Sequence, residues 1–259
     1  ARKESHADTV ARLSTYNYAE RAAEEGQSTA LSGVYADFLA DLGVESALVP
    51  ERFPVGVADG LREAGVGIDV DRDDVIETVR ATKADEELDA VRRATAANEA
   101  AMAAAEDLIA AADVADDGTL VIEENGEETP LTSERVKEEI EVTLLRHGCA
   151  LDETIVACGG DAAEPHNRGR GPLRVNEPIV IDIFPREKES KYHADMTRTF
   201  VKGEPTEAAR EFYDVTERAF DAAFDALEPG TTGAAVHAAA CEVYEDAGYP
   251  TLRSDPDTE

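Results

Sequence analysis

Pro178-Ile179-Val180-Ile181-Asp182-Ile183-Phe184, a polar link, and then Tyr192-His193-Ala194-Asp195-Met196-Thr197-Arg198-Thr199-Phe200 form the stretch on which the reading of this chain turns. The first segment is β-branched and apolar, and the second alternates imperfectly between apolar and polar residues. Two such runs joined by a polar link read as an antiparallel hairpin. An Asp in the middle of an apolar strand is costly unless it has a partner. If the hairpin is centred between Lys188 and Glu189, residues equidistant from that centre face each other. Asp182 then falls directly opposite Asp195, with Cβ atoms roughly 4.5–5.5 Å apart. Two opposed carboxylates repel, and the arrangement is stable if one takes a proton or if cations sit between them. Divalent ions held by bridging carboxylates, typically about 3.5–4 Å apart, give the second solution. The register decides the matter, because a slip of one residue would send the two acids to opposite faces. The spacing also allows an arrangement in which Asp195 ends a strand and Asp182 pairs with Arg198.

Working outward, Thr154 to Cys158 reads as a strand ending in Gly159-Gly160. Thr132 or Ser133 caps a helix that runs to His147 and stops at Gly148. Asp113 to Pro130 is polar and acidic, which predicts a loop or exposed hairpin. Thr82 to Ala112 predicts one long helix, since its Ala-rich run has high propensity and regular apolar spacing. Toward the N-terminus, helical Arg21–Leu42, strand Ser46–Val49, helical Val55–Ala64 and strand Val66–Val70 predict a parallel strand pair joined by a helix. On the C-terminal side, helices are expected over 206–227 and 233–247, separated by Pro229-Gly230. The reading is therefore an α/β unit over residues 1–80 followed by an α+β unit with an antiparallel sheet over 81–259.

Composition restricts the function classes. The chain has 259 residues, 57 acidic against 25 basic, and a net charge of −32. Such a surface repels nucleic-acid phosphates and anionic membranes, so neither is expected as a partner. Many acids, only six Lys and many small residues resemble the proteins of salt-in halophiles. No apolar run reaches the roughly 18–20 residues of a membrane span. The polar N-terminus shows no signal peptide, so a cytoplasmic location is expected. Cys149, Cys158 and Cys241 form no C-x-x-C pair, which argues against a zinc ribbon or a thioredoxin motif. Cys158 is expected to be a small core residue.

The run Val180-Ile-Asp182-Ile-Phe184 with Tyr192-His-Ala-Asp195-Met-Thr-Arg-Thr199 resembles the D…GY-x-x-D-x-T-R-T pattern of the pita-bread metallopeptidases, of the Xaa-Pro dipeptidase and aminopeptidase P kind. Ile155 to Gly159 and Glu164-Pro165-His166-Asn167 resemble that family's strand and active-site His. Arg80-x-x-Lys83-x-x-x-Glu87 resembles the junction between its N-terminal and catalytic domains. Leu227-Glu-Pro229-Gly230 and Val236-His237 resemble the helix before its next metal ligand. The resemblance covers about residues 45–250. Where the family has a glycine before the Tyr, this chain has Lys191, and its Asp–Asp link is longer.

The resemblance implies a pita-bread catalytic domain from residue 81 and hydrolysis at a free N-terminus, with a preference for Xaa-Pro. It implies two divalent ions, Mn²⁺ or Co²⁺, with Zn²⁺ or Fe²⁺ as alternatives, on Asp182 and Asp195. His166 would bond the substrate carbonyl, Tyr192 would line the site, Thr197 would orient Asp195, and Arg198 would pair with a carboxylate. His193 is expected to be structural or to support a ligand, and His237 to pack. A peptide substrate and a homodimer are expected. The family's further His and two Glu ligands, its second catalytic His and its G-H-G sequence are not visible before Glu259. The chain is thus expected to be truncated at both ends, to derive from a haloarchaeon and to be inactive by itself. The rival expectations are a metal-free creatinase-like hydrolase and a non-enzymatic pita-bread binding protein.

Overall fold

The structure, a computed structural model, describes residues 7–256. It divides into two units, the boundary lying between Lys83 and Ala84. In the first, α1 (Tyr18–Glu25) and α2 (Gln27–Asp41) precede strand β1 (Ser46–Val49), helix α3 (Val55–Glu63) and strand β2 (Gly67–Val70). β1 and β2 are parallel, with Ser46 opposite Gly67 and Val49 opposite Val70. Gly43 and Gly65 stop the helices at positive φ, where a Cβ would be strained. Ala36, Val49, Ala58, Leu61, Val66 and Ile68 form a small core. A short helix α4 (Val75–Ala81) ends the unit. Sequence reading missed it. Its first turn is nonetheless marked, since the Asp71 carboxylate accepts the N–H of Asp73 and of Val75.

The long helix of the second unit, α5 (Asp85–Ala111), begins three residues later than the expected Thr82. The Glu87 carboxylate accepts the Ala84 N–H at 2.8 Å, and the acidic first turn Asp85-Glu86-Glu87 suits the positive end of the helix. Its buried stripe runs Ala90, Ala94, Ala97, Asn98, Ala101, Met102, Ala105 and Ile109 at helical spacing. Next comes the acidic segment, which forms a meander of β3 (Asp113–Val114), β4 (Leu120–Glu124) and β5 (Glu127–Pro130). It is a hairpin as expected, with Asn125 and Gly126 both at positive φ in its turn. It is less exposed than expected, because Leu120 and Val121 are buried. α6 (Ser133–Arg146) follows, capped by Thr132 Oγ1, which accepts the Arg135 N–H.

The sheet that positions the site contains β7 (Thr154–Cys158), β8 (Ile179–Ile183) and β10 (Met196–Phe200), with β8 in the middle and all pairs antiparallel. A second small pair joins β6 (Cys149–Ala150) to β9 (Arg186–Glu187), which lies inside the link between β8 and β10. One face of β8, Ile179, Ile181 and Ile183, is fully buried against α5 and α6 together with Val136, Ile140, Leu144 and Val156. Helices α7 (Glu207–Asp225) and α8 (Gly233–Asp246) close the described chain, capped by Thr206 and Thr232. None of the described helices is long and apolar enough to cross a membrane.

Candidate metal centre

The register of β8 and β10 differs from the expected one. Asp182 faces Thr197, not Asp195, and Met196 faces Ile183. The cause lies in the link. It closes as a four-residue loop over 188–191, with Glu187 N bonded to Tyr192 O at 2.9 Å and Lys191 N to Glu187 O at 3.0 Å. Arg186 then bridges to His193, which moves the hairpin centre one residue beyond the expected point. The resulting shift of two in strand pairing preserves the side-chain alternation. Asp195 is two residues before Thr197, so it becomes a diagonal neighbour of Asp182 on the same face, within reach of its carboxylate.

The electrostatics report that approach. The Asp195 carboxyl is raised above the ordinary carboxylate range by partial burial, then by the charge of Asp182, then by a hydrogen bond between the two carboxyls. As a residue Asp195 is exposed and Asp182 is half-buried. Burial is therefore slight, and the nearby like charge is the distinctive feature. Thr197 Oγ1 donates to Asp182 Oδ1 at 2.8 Å. It orients Asp182, where sequence reading assigned it to Asp195. Thr154 Oγ1 from β7 donates to the Asp182 carbonyl at 2.6 Å.

Other residues singled out in the sequence fall at varying places. Arg198 faces Ile181 in the register, so alternation turns it from the face of Asp182. Its guanidinium donates to the Thr197 carbonyl at 2.8 Å, and the ion pairs found among the described residues do not include it. The Tyr192 hydroxyl donates to Glu87 on α5, while Arg93, also on α5, bonds both oxygens of Glu187 at 2.7 and 3.2 Å. The link between the two aspartates is thus tied to α5 by side chains at both ends. His193 is exposed beside it.

His166 is exposed in the turn after a short 3-10 segment, Gly159–Ala163. The loop that carries it is anchored just beyond. Val156 N donates to Arg168 O at 3.1 Å, extending the β7 edge. Lys137 Nζ donates to Gly169 O at 2.9 Å, and the Glu134 carboxylate accepts the Gly171 N–H. Cys158 is half-buried; its thiol points to Glu177 at 3.8 Å, and burial raises its pKa. His237 Nε2 lies 3.4 Å from Cys241 Sγ, one turn along α8.

The donor chemistry suits a hard divalent cation, since two carboxylates converge on one face and repel each other there. Two carboxylates are only part of a cage. Among the described residues no group of three or more His, Cys, Asp or Glu is placed to hold an ion.

Comparison with known proteins places these features in a family. Residues 74–255 match metallopeptidase family M24. The chain belongs to that family. The "Xaa-Pro dipeptidase" of Pyrococcus furiosus is 30% identical over 182 residues, covering 68% of this chain and 46% of that protein. The "Probable dipeptidase PepE" of Mycobacterium tuberculosis is 32% identical over 180 residues, covering 68% of this chain and 42% of that protein. The crystal structure of dipeptidase PepE from Mycobacterium ulcerans superposes with a TM-score of 0.65 at 28% identity, over 83% of this chain and 54% of that one. The M24 chain thus has the pita-bread fold with its mixed helices and antiparallel sheet, and it spans less than half the length of these two curated relatives. Divalent metal and peptide substrates are the chemistry that a metallopeptidase family implies.

Proposed function

We propose that this chain contributes two carboxylate ligands, Asp182 and Asp195, to the divalent-metal site of an exopeptidase that hydrolyses N-terminal Xaa-Pro bonds. The observation that carries the reading is the register of β8 and β10, which makes Asp195 a diagonal neighbour of Asp182 on their open face, where burial and then the Asp182 charge raise the Asp195 carboxyl. Bound divalent ions, two of Mn²⁺ or Co²⁺ by family likeness, would activate water and polarise the scissile carbonyl. The rest falls to side chains of the chain. Asp182 is held by Thr197 at its carboxylate and by Thr154 at its carbonyl, so its orientation is set before any ion arrives. His166 serves to bond the substrate carbonyl, from a loop whose base is tied to α6. Tyr192 serves by pinning the link.

The 259-residue polypeptide alone is proposed to have little or no peptidase activity, because two carboxylates make a poor cage for a divalent ion. The proline preference, a homodimer, a salt-rich cytoplasm and a haloarchaeal source belong to the same proposal. Calorimetric titration of this chain with Mn²⁺ in molar KCl tests the ligand assignment. Weak binding that Asp195→Asn abolishes is expected. Binding unchanged in both Asp182→Asn and Asp195→Asn would refute it. Robust hydrolysis of Xaa-Pro dipeptides by the isolated chain would refute the partial site. In a polypeptide that also carries the further ligands, equal cleavage of Xaa-Pro and Xaa-Ala dipeptides would remove the proline assignment.

A further inference from the structure

Asn98 is the one polar residue of the buried stripe of α5, between Ala97 and Ala101, and it is 0% exposed. Its Nδ2 donates to the Ile183 carbonyl at 2.8 Å, 85 residues away. Its Oδ1 is buried with no hydrogen-bond partner among the described residues. Turning the amide over does not help, because Oδ1 would then face another acceptor, the Ile183 oxygen. A buried amide with an orphan acceptor is unfavourable for folding, and an apolar residue of the same shape would exchange that orphan for an Ile183 carbonyl that has lost this donor. Core packing therefore does not explain Asn at this position.

Its partner does. Ile183 follows Asp182, and β8 leaves the sheet just beyond it. The carbonyl of Asp182 is held by Thr154 from β7 and the next carbonyl, of Ile183, by Asn98 from α5. Side chains from two elements thus fix two consecutive peptide units directly after the aspartate, while Thr197 from β10 fixes its carboxylate. The diagonal Asp182–Asp195 approach depends on this strand end, since Asp195 itself lies one residue outside β10. We propose that Asn98 is a positioning residue of the carboxylate pair, holding the end of β8 so that Asp182 stays aimed at Asp195. The inference rests on the reading of that pair as metal ligands.

The test is Mn²⁺ titration of the ¹⁵N-labelled chain in molar KCl, which suppresses diffuse binding to its acidic surface. Paramagnetic broadening of the amides of residues 181–183 and 194–197 reports the site itself. Asn98→Leu keeps the shape and removes both the donor and the orphan oxygen. The expected result is a midpoint raised about three- to tenfold, below the 10–100-fold typical of groups bonded directly to a metal ligand. The metal-free melting temperature should fall by no more than about 2–4 °C, as the loss of one hydrogen bond gives, while the midpoint moves severalfold, a split that a merely structural role would not give. Asn98→Ala, which opens a small space but keeps helix propensity, should raise the midpoint likewise and serves if the Leu variant folds poorly. Unchanged midpoints in both variants, alongside broadening abolished by Asp195→Asn, would overturn the role of Asn98 and leave the metal site standing. Broadening that survives Asp195→Asn would instead sink the carboxylate reading, and this inference with it.

Discussion

Gly169→Ala should be one of the most damaging single-methyl additions in the second unit. A Cβ at Gly169 would lie 1.8 Å from the Val156 carbonyl oxygen, 2.5 Å from its carbon and 2.7 Å from Ala157 Cα. All three atoms are backbone of β7, the strand beside Asp182, so no side chain can rotate aside. The residue also sits at φ +69°, where an L-residue costs about 1–2 kcal/mol. Overpacking adds about 1–3 kcal/mol. Together the cost is about 2–5 kcal/mol, a large part of the 5–15 kcal/mol typical of a domain. At about 2–4 °C per kcal/mol for a unit of this size, the melting temperature should fall by roughly 4–20 °C. The alternative route for relief is for the loop to lift off β7, which breaks the Val156–Arg168 and Lys137–Gly169 bonds. That route should appear as faster amide exchange at Val156 with a smaller melting shift. Calorimetry and hydrogen exchange in molar KCl measure both. A variant with the parent's melting temperature and parent-like protection at Val156 would refute the packing argument.

Lys191 occupies φ +67° at the close of the link, so Lys191→Gly should leave stability unchanged or raise it by up to about 1 kcal/mol, the left-handed cost less the entropy of glycine; a clear fall in melting temperature would show that the Lys191 side chain matters more than its backbone. Glu187 is depressed to about 2 by the Arg93 guanidinium and then by Ser190. A depressed acid contributes stability above its unfolded value near 4.5, and that contribution is lost as pH falls toward about 2. The destabilisation caused by Glu187→Gln should therefore be full at pH 6 and shrink steadily below pH 4.5; a difference in melting temperature that does not change with pH would contradict this. The net charge of −32 predicts a melting temperature that climbs strongly from low salt to molar KCl, and a flat salt profile would count against a surface adapted to salt.

Most of the element order was legible because the signals are local. The stop at Gly148 and the two C-terminal helices fall within two residues of where sequence reading sets them. The site face was legible from Asp182 alone, since β8 buries Ile179, Ile181 and Ile183 and alternation leaves Asp182 on the other side. The register was not legible. It is set by the β6–β9 pairing and by Lys191 taking a conformation that favours glycine, neither of which a period-2 pattern reports. The roles of Thr197 and Arg198 follow from register and were misassigned with it. α4 was hidden because its N-cap, Asp74, makes no side-chain cap bond, the first N–H is instead taken by Asp71 four residues before Val75, and its apolar residues are exposed. Asn98 was missed for a different reason. An Asn within an Ala-rich helix looks unremarkable until Ile183 is known to lie against it.

The carboxylate pair works against the fold that holds it. Asp195 has its pKa raised on folding, so its protonated form is favoured in the folded state. At pH values above that raised pKa the charged pair therefore subtracts from stability. The structure does little to relieve this. Thr197 satisfies one oxygen of Asp182, while Arg198, the nearest cation in sequence, lies on the other side of the strand. Three hydrogen bonds, from Thr154, Thr197 and Asn98, instead fix the strand end so that the repulsion cannot be escaped by moving it. Held repulsion of this kind is what a cation relieves on binding, and neutralising either aspartate would relieve it permanently. Asp195→Asn is therefore expected to raise the melting temperature of the apo chain and, under the proposed function, to lose ion binding in the same variant, two consequences of one arrangement. That coupling distinguishes a ligand pair from two acids that merely share a surface.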